Sequence, residues 1–290
     1  MNEQQPLVSI AIPCYNHAKF VQEAIQSVIE QDYKNIELII IDDGSKDNSV
    51  EVIQQMIPAC EKRFVRFEFR YRPNKGLCAT LNEALEWCEG EFFAPLASDD
   101  LIRPYKTAKQ VNYLKNNLNS IGVFGDVELF GTAKNPIRFR PSAKYTFKDI
   151  FLHLHHLPAP TQFLRLNKVR EIGGFRDDLI IEDWSMWLFL TENGGTLDVV
   201  NEVYTEYRRH DDNLSAKHDL MQKGREKILN LYKSNKLYRS AYSRALLVHA
   251  HGIQTNSKKD SLEALYKAIK NYPLCIFSKS FIWLLIKMIK

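Results

Sequence analysis

The sequence lacks the marks of several common protein classes. Its 290 residues include five cysteines, an odd number without CxxC spacing, which argues against both a disulfide framework and a zinc site. The first six residues are polar and contain no apolar core of a signal peptide, so we expect a cytoplasmic protein with free thiols. The first apolar run is followed by Pro13-Cys14-Tyr15-Asn16, which is neither the GxGxxG segment of a dinucleotide-dependent oxidoreductase nor the basic phosphate loop of a nucleotidyltransferase.

An excess of charge of one sign is also missing. The formal net charge is +4 and many carboxylates lie in the first half of the chain, so we expect no nucleic-acid partner. Hydrophobic residues make up 45% and charged residues 26% of the chain, which is typical of a globular protein with one large or two modest domains.

Strand-like and helix-like patterns alternate along the first half of the chain. Apolar runs predict strands at residues 7–12, 36–41, 65–71, 92–96 and 121–127, and apolar residues at helical spacing lie between them. Beyond residue 128 the alternation weakens: late strands are predicted at 196–200 and 202–207, and a helical pattern runs from about residue 212. This order predicts an α/β fold with a mostly parallel, doubly wound, Rossmann-like sheet and a helical C-terminal extension.

Two acidic pairs follow predicted strands. Asp42-Asp43 closes the second apolar run, and Asp99-Asp100 follows the fourth. Parallel sheets bind ligands at the carboxyl ends of their strands, and hard divalent cations prefer carboxylate oxygens. A single aspartate at such a turn would more simply cap the following helix, but two pairs at corresponding positions favour a ligand site in which a cation offsets the charge of the acids.

Five short motifs occur in order within the first 190 residues. They are Val8-Ser9-Ile10-Ala11-Ile12-Pro13-Cys14-Tyr15-Asn16, Ile41-Asp42-Asp43-Gly44-Ser45, Asn74-Lys75-Gly76 with Asn82, Ser98-Asp99-Asp100 and Glu182-Asp183. Each motif alone is a weak signal, but together they resemble the family 2 glycosyltransferases of the GT-A fold. The resemblance implies an enzyme that transfers a sugar from a nucleotide-sugar with inversion at the sugar carbon.

The resemblance also implies roles for individual residues. It places the nucleotide-sugar at the loop after the first strand and at the Asp-Asp-Gly-Ser segment, and the metal and the ribose at the Ser-Asp-Asp motif. This motif departs from the family pattern Asp-x-Asp, which leaves Asp100 as the main protein ligand of Mn²⁺ or Mg²⁺ and much of the metal shell to the phosphates. The implied nucleotide-sugar contacts are Pro13, Tyr15, Asn16, Asp42, Asp43, Asn74, Gly76 and Asp99.

Arg208-Arg209-His210 ends the last predicted strand. Guanidinium and imidazole groups both suit phosphate or a metal ion. Arg208 is therefore a candidate nucleotide-sugar contact and His210 a candidate metal ligand, and a solvated run of charges is the alternative.

Glu182-Asp183 supplies the candidate catalytic base. Inversion requires one group that removes the proton of the acceptor hydroxyl while a cation stabilises the leaving diphosphate. The pair precedes Trp184, Trp187 and Leu188, which are apolar at helical spacing, so Asp183 is expected at a helix N-terminus, where capping is the alternative role. The resemblance favours Asp183 as the base, with Glu182 as the second candidate.

The last apolar run is too short to cross a membrane. Residues 281–286 are all apolar and are flanked by Lys279, Lys287 and Lys290, whereas a membrane span needs about 20 residues. Such a segment suits the surface of an anionic membrane; a helix packed on the protein and a dimer contact are the alternatives.

Together these observations predict a metal-dependent inverting glycosyltransferase. We expect a UDP-sugar donor and, as acceptor, a lipid-linked oligosaccharide or surface polysaccharide precursor, such as O-antigen, capsule or lipopolysaccharide, with the enzyme cytoplasmic and peripheral at the inner membrane. Residues 1–211 form the expected catalytic domain, with a nucleotide-binding half (1–127) and an acceptor-binding half (128–211), and residues 212–290 form a helical region. The alternatives are a nucleotidyltransferase, or a sugar-nucleotide-binding or polysaccharide-binding relative without turnover.

Overall fold

The computed structural model describes residues 5–131, 141–209 and 217–289. Within these residues the chain forms a nine-stranded sheet. Its strands are β1 (Val8–Cys14), β2 (Ile36–Asp42), β3 (Arg66–Tyr71), β4 (Phe92–Pro95), β5 (Leu101–Ile102), β6 (Ser120–Gly131), β7 (Ala143–Tyr145), β8 (Phe163–Arg165) and β9 (Thr196–Arg209).

Helices connect the strands and make up the end of the chain. All seven residues of β2 are buried, as expected for a parallel strand covered on both faces, and this explains its continuous apolar sequence. The helices are α1 (Val21–Ile29), α2 (Ser49–Arg63), α3 (Leu77–Trp87), α4 (Lys106–Asn116), α5 (Phe147–Phe151), α6 (Leu166–Glu171), α7 (Glu182–Thr191), α8 (His218–Asn230), α9 (Tyr238–Ile253), α10 (Lys258–Asn271) and α11 (Lys279–Ile289).

The sheet has the order β3-β2-β1-β4-β8-β6-β9-β5, and β7 pairs with β9. β3, β2, β1 and β4 are parallel to one another, and so are β6 and β9. β8 pairs antiparallel with both β4 and β6. The predicted α/β class with a mostly parallel sheet and a helical C-terminal extension is therefore confirmed.

The second half of the sheet differs from the sequence prediction, which did not include the short strands β5, β7 and β8 and which divided β9 in two. β8 lies between β4 and β6 in the sheet. It was not predicted, because a segment of three residues carries no periodic signal. The two late strands predicted at 196–200 and 202–207 are one strand, β9. Its pairing with β6 continues through a bulge, since Phe124 pairs with Val199 and Asp126 with Val203.

The chain divides into two compact units. The first consists of Met1–Thr146, His156–Asp177 and Met186–Asp211, and the second of Phe147–His155, Asp178–Ser185 and Asp212–Lys290. The core of the first unit is formed by β1, β2, β4 and α1, with Ile10, Ile25, Leu38, Ile40 and Phe92 among its buried residues. The second unit has its own core, in which Leu246, Leu247, Leu265, Phe281 and Leu284 join α9, α10 and α11.

Candidate functional site

The loops that follow β1 and β2 in the first unit are hydrogen-bonded to each other. The backbone N–H of Asn16 donates to Ser45 Oγ at 2.8 Å, and Asn16 Oδ1 accepts from the backbone N–H of Lys46 at 2.8 Å. The backbone N–H of His17 donates to Ser49 Oγ at 3.0 Å. Asn16 has a φ of 54°, a left-handed conformation that asparagine tolerates better than most residues. These contacts fix the two loops side by side at the carboxyl edge of the sheet.

The first acidic pair holds these loops in shape. Asp42 is buried and accepts hydrogen bonds from the backbone N–H groups of Gly44 and Ser45, at 3.1 and 2.8 Å, and from the Ser45 hydroxyl at 2.6 Å. Asp43, also buried, accepts from the backbone N–H groups of Lys75 and Gly76 at 2.8 and 2.9 Å. Asp42 therefore shapes its own turn, and Asp43 attaches the loop after β3 to the loop after β2.

Arg72, which the sequence analysis did not select, completes this attachment. Its guanidinium forms an ion pair with Asp43, donates to Glu83 at 2.7 Å and donates to the hydroxyl of Thr80 at 3.0 Å. The sequence signal for Arg72 is weak: it is a cation that directly follows β3, and the strands before and after β3 in the chain are each followed by acidic residues. The three loops thus share one network of charge-assisted hydrogen bonds, which are among the stronger contacts in proteins.

Two glycines allow the loops to approach closely. Gly44 has a φ of +78°, and a Cβ atom there would lie 2.6 Å from the backbone nitrogen of Asn74. Gly76 has a φ of +89° and directly precedes α3. Asn74 and Tyr15 lie on the solvent side of this region, and Tyr15 keeps 44% of its surface exposed. Exposed side chains and fixed backbone N–H groups therefore face the same edge.

The second acidic pair lies beyond the end of β4. Asp100 is completely buried, its Oδ1 accepts from the backbone N–H of Arg208 at 2.9 Å, and its Oδ2 has no hydrogen-bond partner among the described residues. Burial, together with the charge of Asp99, raises the pKa of Asp100 to about 8, although Arg208 opposes this shift. Asp100 therefore presents one buried carboxylate oxygen to which no group in the described ranges donates a hydrogen bond.

Arg208 joins the end of β9 to this acidic pair. Its Nε donates to the backbone oxygen of Asp99 at 2.9 Å, and its guanidinium pairs with Glu23 of α1. The guanidinium also lies over the rings of Phe130 and Phe20, at 4.3 and 4.7 Å from their centroids. The fold thus brings Arg208, Asp99 and Asp100 together. His210, the other candidate from the same segment, lies outside the described residues.

The residues at Asp100 fit a divalent cation only in part. A cation would provide a partner for the buried Oδ2 atom of Asp100. The positive charge of the cation would also lower the pKa of Asp100, which burial raises. Among the residues that the structure describes, no three His, Cys, Asp or Glu side chains are grouped to hold a metal. A metal at this position would therefore need oxygen ligands from its substrate, as diphosphates provide.

Cys14 lies beside this edge but is unsuited to nucleophilic chemistry. Burial raises the pKa of its thiol to about 12, so the thiol stays protonated. The residue is 1% exposed and belongs to the core of the first unit, where it serves as a small packed side chain.

The candidate base lies in the second unit, in the first turn of α7. Glu182 and Asp183 are half-buried there, and Asp183 Oδ1 accepts from the backbone N–H of Trp184 at 2.5 Å. Burial raises the pKa of Asp183, and the charge of Arg225 partly opposes this effect. Burial and the neighbouring Asp183 also raise the pKa of Glu182. A carboxylate with a raised pKa is a stronger proton acceptor than an exposed one.

Aromatic rings lie at this turn. The indole N–H of Trp184 donates to the backbone oxygen of Ile150 at 3.2 Å, and the ring of His153 stacks on Trp184 with 4.4 Å between centroids. His153 has a φ of 49°, and its buried Nε2 has no hydrogen-bond partner among the residues that the structure describes. Burial also lowers the pKa of His153 well below its usual range, so the ring is neutral.

Helix α8 packs against the segment that leads into α7. A Cβ atom at Gly224 would lie 2.8 Å from Ile181 Cγ1, so only glycine lets α8 come this close. One turn further along α8, the ammonium group of Lys227 lies 3.8 Å from the carboxylate of Asp178 and donates to its backbone oxygen. The position of the Glu182-Asp183 pair therefore depends on a helix that follows it by about 40 residues.

Comparison with known proteins places these features in a family. The family described as "Glycosyl transferase family 2" matches residues 9–173. A glycosyltransferase of Rickettsia typhi, itself uncharacterized, is 32% identical over 220 residues, covering 72% of this chain and 66% of the relative. An uncharacterized glycosyltransferase of Rickettsia conorii is 37% identical over 201 residues, covering 64% of this chain and 32% of the relative. The chain thus spans between about a third and two thirds of these relatives.

Two solved structures share the fold. Staphylococcus aureus TarS 1-349 in complex with UDP-GlcNAc aligns with a TM-score of 0.66 and 19% identity, covering 91% of this chain and 79% of TarS 1-349. The mannosyltransferase PcManGT from Pyrobaculum calidifontis, in complex with GDP-Man and Mn²⁺, aligns with a TM-score of 0.66 and 15% identity, covering 99% of this chain and 84% of its own. At such identities the likeness concerns the fold, which is of the GT-A type.

Proposed function

Because the chain belongs to the family 2 glycosyltransferases, we propose that it transfers a sugar from a nucleotide-sugar to an acceptor hydroxyl with inversion at the sugar carbon. The observation that carries this proposal is the network in which Asp43 and Arg72 join the loops after β2 and β3, at the same carboxyl edge of the sheet as the Asp99-Asp100 pair that follows β4. Such an edge of a parallel sheet is where α/β proteins bind nucleotides.

The proposed donor is a UDP-sugar. Pro13, Tyr15, Asn16 and Asn74 would contact the nucleotide, with Asp99 accepting from the ribose. Asp42, Asp43 and Gly76 would shape the loops around it, since the oxygens of both aspartates already accept from backbone N–H groups. The structure of TarS with UDP-GlcNAc supports this choice, whereas PcManGT was solved with GDP-Man. The identity of the donor's nucleobase, uracil, is therefore part of the proposal.

A divalent cation, Mn²⁺ or Mg²⁺, is proposed at Asp100. Oδ2 of Asp100 would hold it, with His210 as the second candidate ligand and the diphosphate as the source of further oxygens. When bound, the cation offsets the negative charge of the diphosphate leaving group. Arg208 would hold the acidic pair in place, because its backbone N–H donates to Asp100 Oδ1 and its Nε donates to the backbone oxygen of Asp99.

Asp183 is proposed as the base that removes the proton of the acceptor hydroxyl. Its raised pKa, which results from burial, brings its proton affinity closer to the value that general-base catalysis near neutral pH requires. The oxygen that loses its proton would then attack the sugar carbon from the side opposite the diphosphate, which produces inversion. Glu182, one residue earlier, is the second candidate, because burial also raises the pKa of its carboxylate.

The proposed acceptor is a lipid-linked oligosaccharide or another surface polysaccharide precursor, of the kind used for O-antigen, capsule or lipopolysaccharide. The reaction is accordingly placed at the cytoplasmic face of the inner membrane. None of the helices in the described ranges is long and apolar enough to cross a bilayer. The contact with the membrane is proposed to be peripheral.

Donor turnover tests the roles of the two acids in α7. With Mn²⁺ and a panel of nucleotide-sugars, release of the nucleoside diphosphate is measured for the wild type, Asp183→Asn and Glu182→Gln. Because Asp183→Asn removes the base and leaves the first unit untouched, we expect turnover to fall about 10²- to 10⁴-fold while donor binding persists.

The matched variant decides between the two carboxylates. Glu182→Gln should keep most of the turnover, because its carboxylate is not needed as the proton acceptor. The reverse pattern would transfer the role to Glu182. Binding of a nucleotide-sugar by the wild type without any turnover would instead identify a binding protein, and release of pyrophosphate from a sugar phosphate and a nucleoside triphosphate would identify a nucleotidyltransferase.

A further inference from the structure

The C-terminal end of the second unit exposes a large amount of apolar side chain. The short 3₁₀ helix Pro273–Phe277 and α11 together present seven large apolar residues to solvent, with Phe277 at 75% and Trp283 at 53% exposure. Single exposed apolar residues are ordinary, but seven of them on two consecutive short elements favour an interaction surface. We call it the C-terminal apolar surface: Leu274, Ile276, Phe277, Ile282, Trp283, Leu285 and Ile286.

This surface belongs to an ordered amphipathic helix. Phe281 and Leu284, on the opposite side of α11, are buried in the core of the second unit at 7% and 0% exposure. The ring of His251 on α9 lies 5.2 Å from the ring of Trp283, and its Nε2 lies 2.9 Å from the backbone oxygen of Ser280. Helix α11 is thus anchored by one face, and the large apolar side chains of its other face are exposed to solvent.

The charge around the surface has one sign. Residues 264–290 contain no aspartate or glutamate and five lysines. Residues 217–290 contain fifteen lysines and arginines against four acids, although the net charge of the whole chain is only +4. Those four acids, Asp219, Glu226, Asp260 and Glu263, all line one groove between α8, α9 and α10. The described residues that carry the C-terminal apolar surface, 273–289, therefore contain lysines and no aspartate or glutamate.

We propose that the C-terminal apolar surface binds an anionic lipid bilayer, with α11 lying in the plane of the interface. Apolar side chains bordered by lysines match the acyl and headgroup layers of such a membrane. A second copy of this chain would bring the same positive charge to the contact, which opposes self-association. The 11 residues of α11 extend about 16 Å, roughly half of the hydrocarbon thickness, so the helix lies on the bilayer.

The lysines have a second use at such an interface. The Nζ atom of Lys287 lies 3.7 Å from the centroid of the Trp283 ring, and Lys279 is exposed at the start of α11. Tryptophan and lysine favour the headgroup layer, where the ring is partly apolar and the ammonium group meets lipid phosphates. This inference rests on the proposed function in one respect, because a lipid-linked acceptor would be found at a membrane. Binding to the bilayer itself requires no turnover.

Vesicle sedimentation of the full chain, without donor or metal, tests the proposal. We expect the protein to pellet with vesicles of phosphatidylcholine mixed with phosphatidylglycerol, far less with phosphatidylcholine alone, and less as salt is added, because salt screens the lysines. The variant Phe277→Ser/Trp283→Ser/Ile286→Ser should lose binding to both. Lys279→Gln and Lys287→Gln should each lower the partition coefficient on anionic vesicles about fivefold.

A matched control separates this surface from apolar exposure in general. Leu118→Ser removes a side chain that is 81% exposed in the first unit, so it should leave vesicle binding unchanged. Thermal melts of all variants show whether each is folded. Equal binding by the wild type and the triple serine variant, or binding to neither kind of vesicle, would overturn the proposal. So would a dimer in analytical ultracentrifugation that the triple variant dissociates. Because no step uses the donor, loss of turnover in Asp183→Asn leaves this result unaffected.

Discussion

At the scale of residues, the strand-end aspartates fall into two kinds. Asp42 and Asp43 are surrounded by donors of the chain itself, and each organises a loop. Asp100 has one oxygen that accepts from the backbone N–H of Arg208 and one that has no hydrogen-bond partner in the part of the chain that the structure describes. Unpaired buried carboxylate oxygens cost free energy, so such an atom marks a place where a ligand is expected. Identical residue types in corresponding positions therefore serve different ends.

Arg225 provides a prediction about pH dependence. Burial raises the pKa of Asp183, and the charge of Arg225 opposes that rise. Arg225→Met removes the opposing charge, so the pKa of Asp183 rises further and the base becomes protonated at a higher pH. We expect the acid limb of the turnover profile to move upward by about one pH unit, with turnover recovering at high pH.

Initial rates across a pH series measure this shift. Arg225→Lys, which keeps a positive charge, should restore most of the original profile. Lys223→Met, an exposed position on the same helix, should leave the acid limb in place. An unchanged limb in Arg225→Met would show that Arg225 does not act on the base.

At the scale of elements, β1, β2, β3 and the end of α3 meet at one buried carboxylate. Glu37 of β2 is fully buried and accepts from the hydroxyl of Ser9 at 2.6 Å and from the backbone N–H of Gly90 at 3.1 Å. Arg66 of β3 pairs with Glu37 at 3.0 Å and lies over the ring of Trp87 at 3.9 Å. This contact lies at the amino ends of the strands, away from the ligand edge, so it serves stability.

Removal of Arg66 should destabilise the first unit. Arg66→Ala leaves the Glu37 charge buried with only neutral donors, so the free energy of unfolding should fall by about 2 kcal/mol, below the usual 3–5 kcal/mol because Arg66 is partly exposed. Urea denaturation measures the change. Glu89→Ala removes the exposed second partner of Arg66 and should cost under about 0.5 kcal/mol. Equal losses for the two variants would contradict the role given to the buried pair.

At the scale of the whole molecule, the two compact units carry different parts of the proposed chemistry. The first contains the loops of the donor site and the Asp99-Asp100 pair, and the second contains Glu182, Asp183 and the C-terminal apolar surface. Charge divides along the chain as well, because residues 217–290 have a formal net charge of +11 (15 cations minus 4 acids), whereas the rest of the chain has −7 (4 minus 11). Donor binding and proton removal can therefore be tested separately by substitutions in different units.

Thermal denaturation with Mn²⁺ and UDP makes this separation measurable. A ligand that binds only the folded state raises the melting temperature by mass action, worth about 2.7 kcal/mol at a hundredfold excess over Kd. We expect Mn²⁺ with UDP to raise the melting temperature of the wild type more than either alone. Asp100→Asn should lose the part that depends on Mn²⁺, whereas Asp183→Asn should keep it. A full shift in Asp100→Asn would exclude Asp100 as the metal ligand.

The sequence by itself determined the α/β class, the parallel strands of the first half and the five motifs of the family, because these depend on local patterns such as the buried run of β2. Only the tertiary structure decided where β8 enters the sheet, that β9 is one strand, and that Arg72 binds Asp43. It also showed that Asp43 accepts hydrogen bonds from backbone N–H groups, whereas one oxygen of Asp100 has no hydrogen-bond partner within residues 5–131, 141–209 and 217–289. Such contacts join residues far apart in the chain, so no periodicity or spacing encodes them.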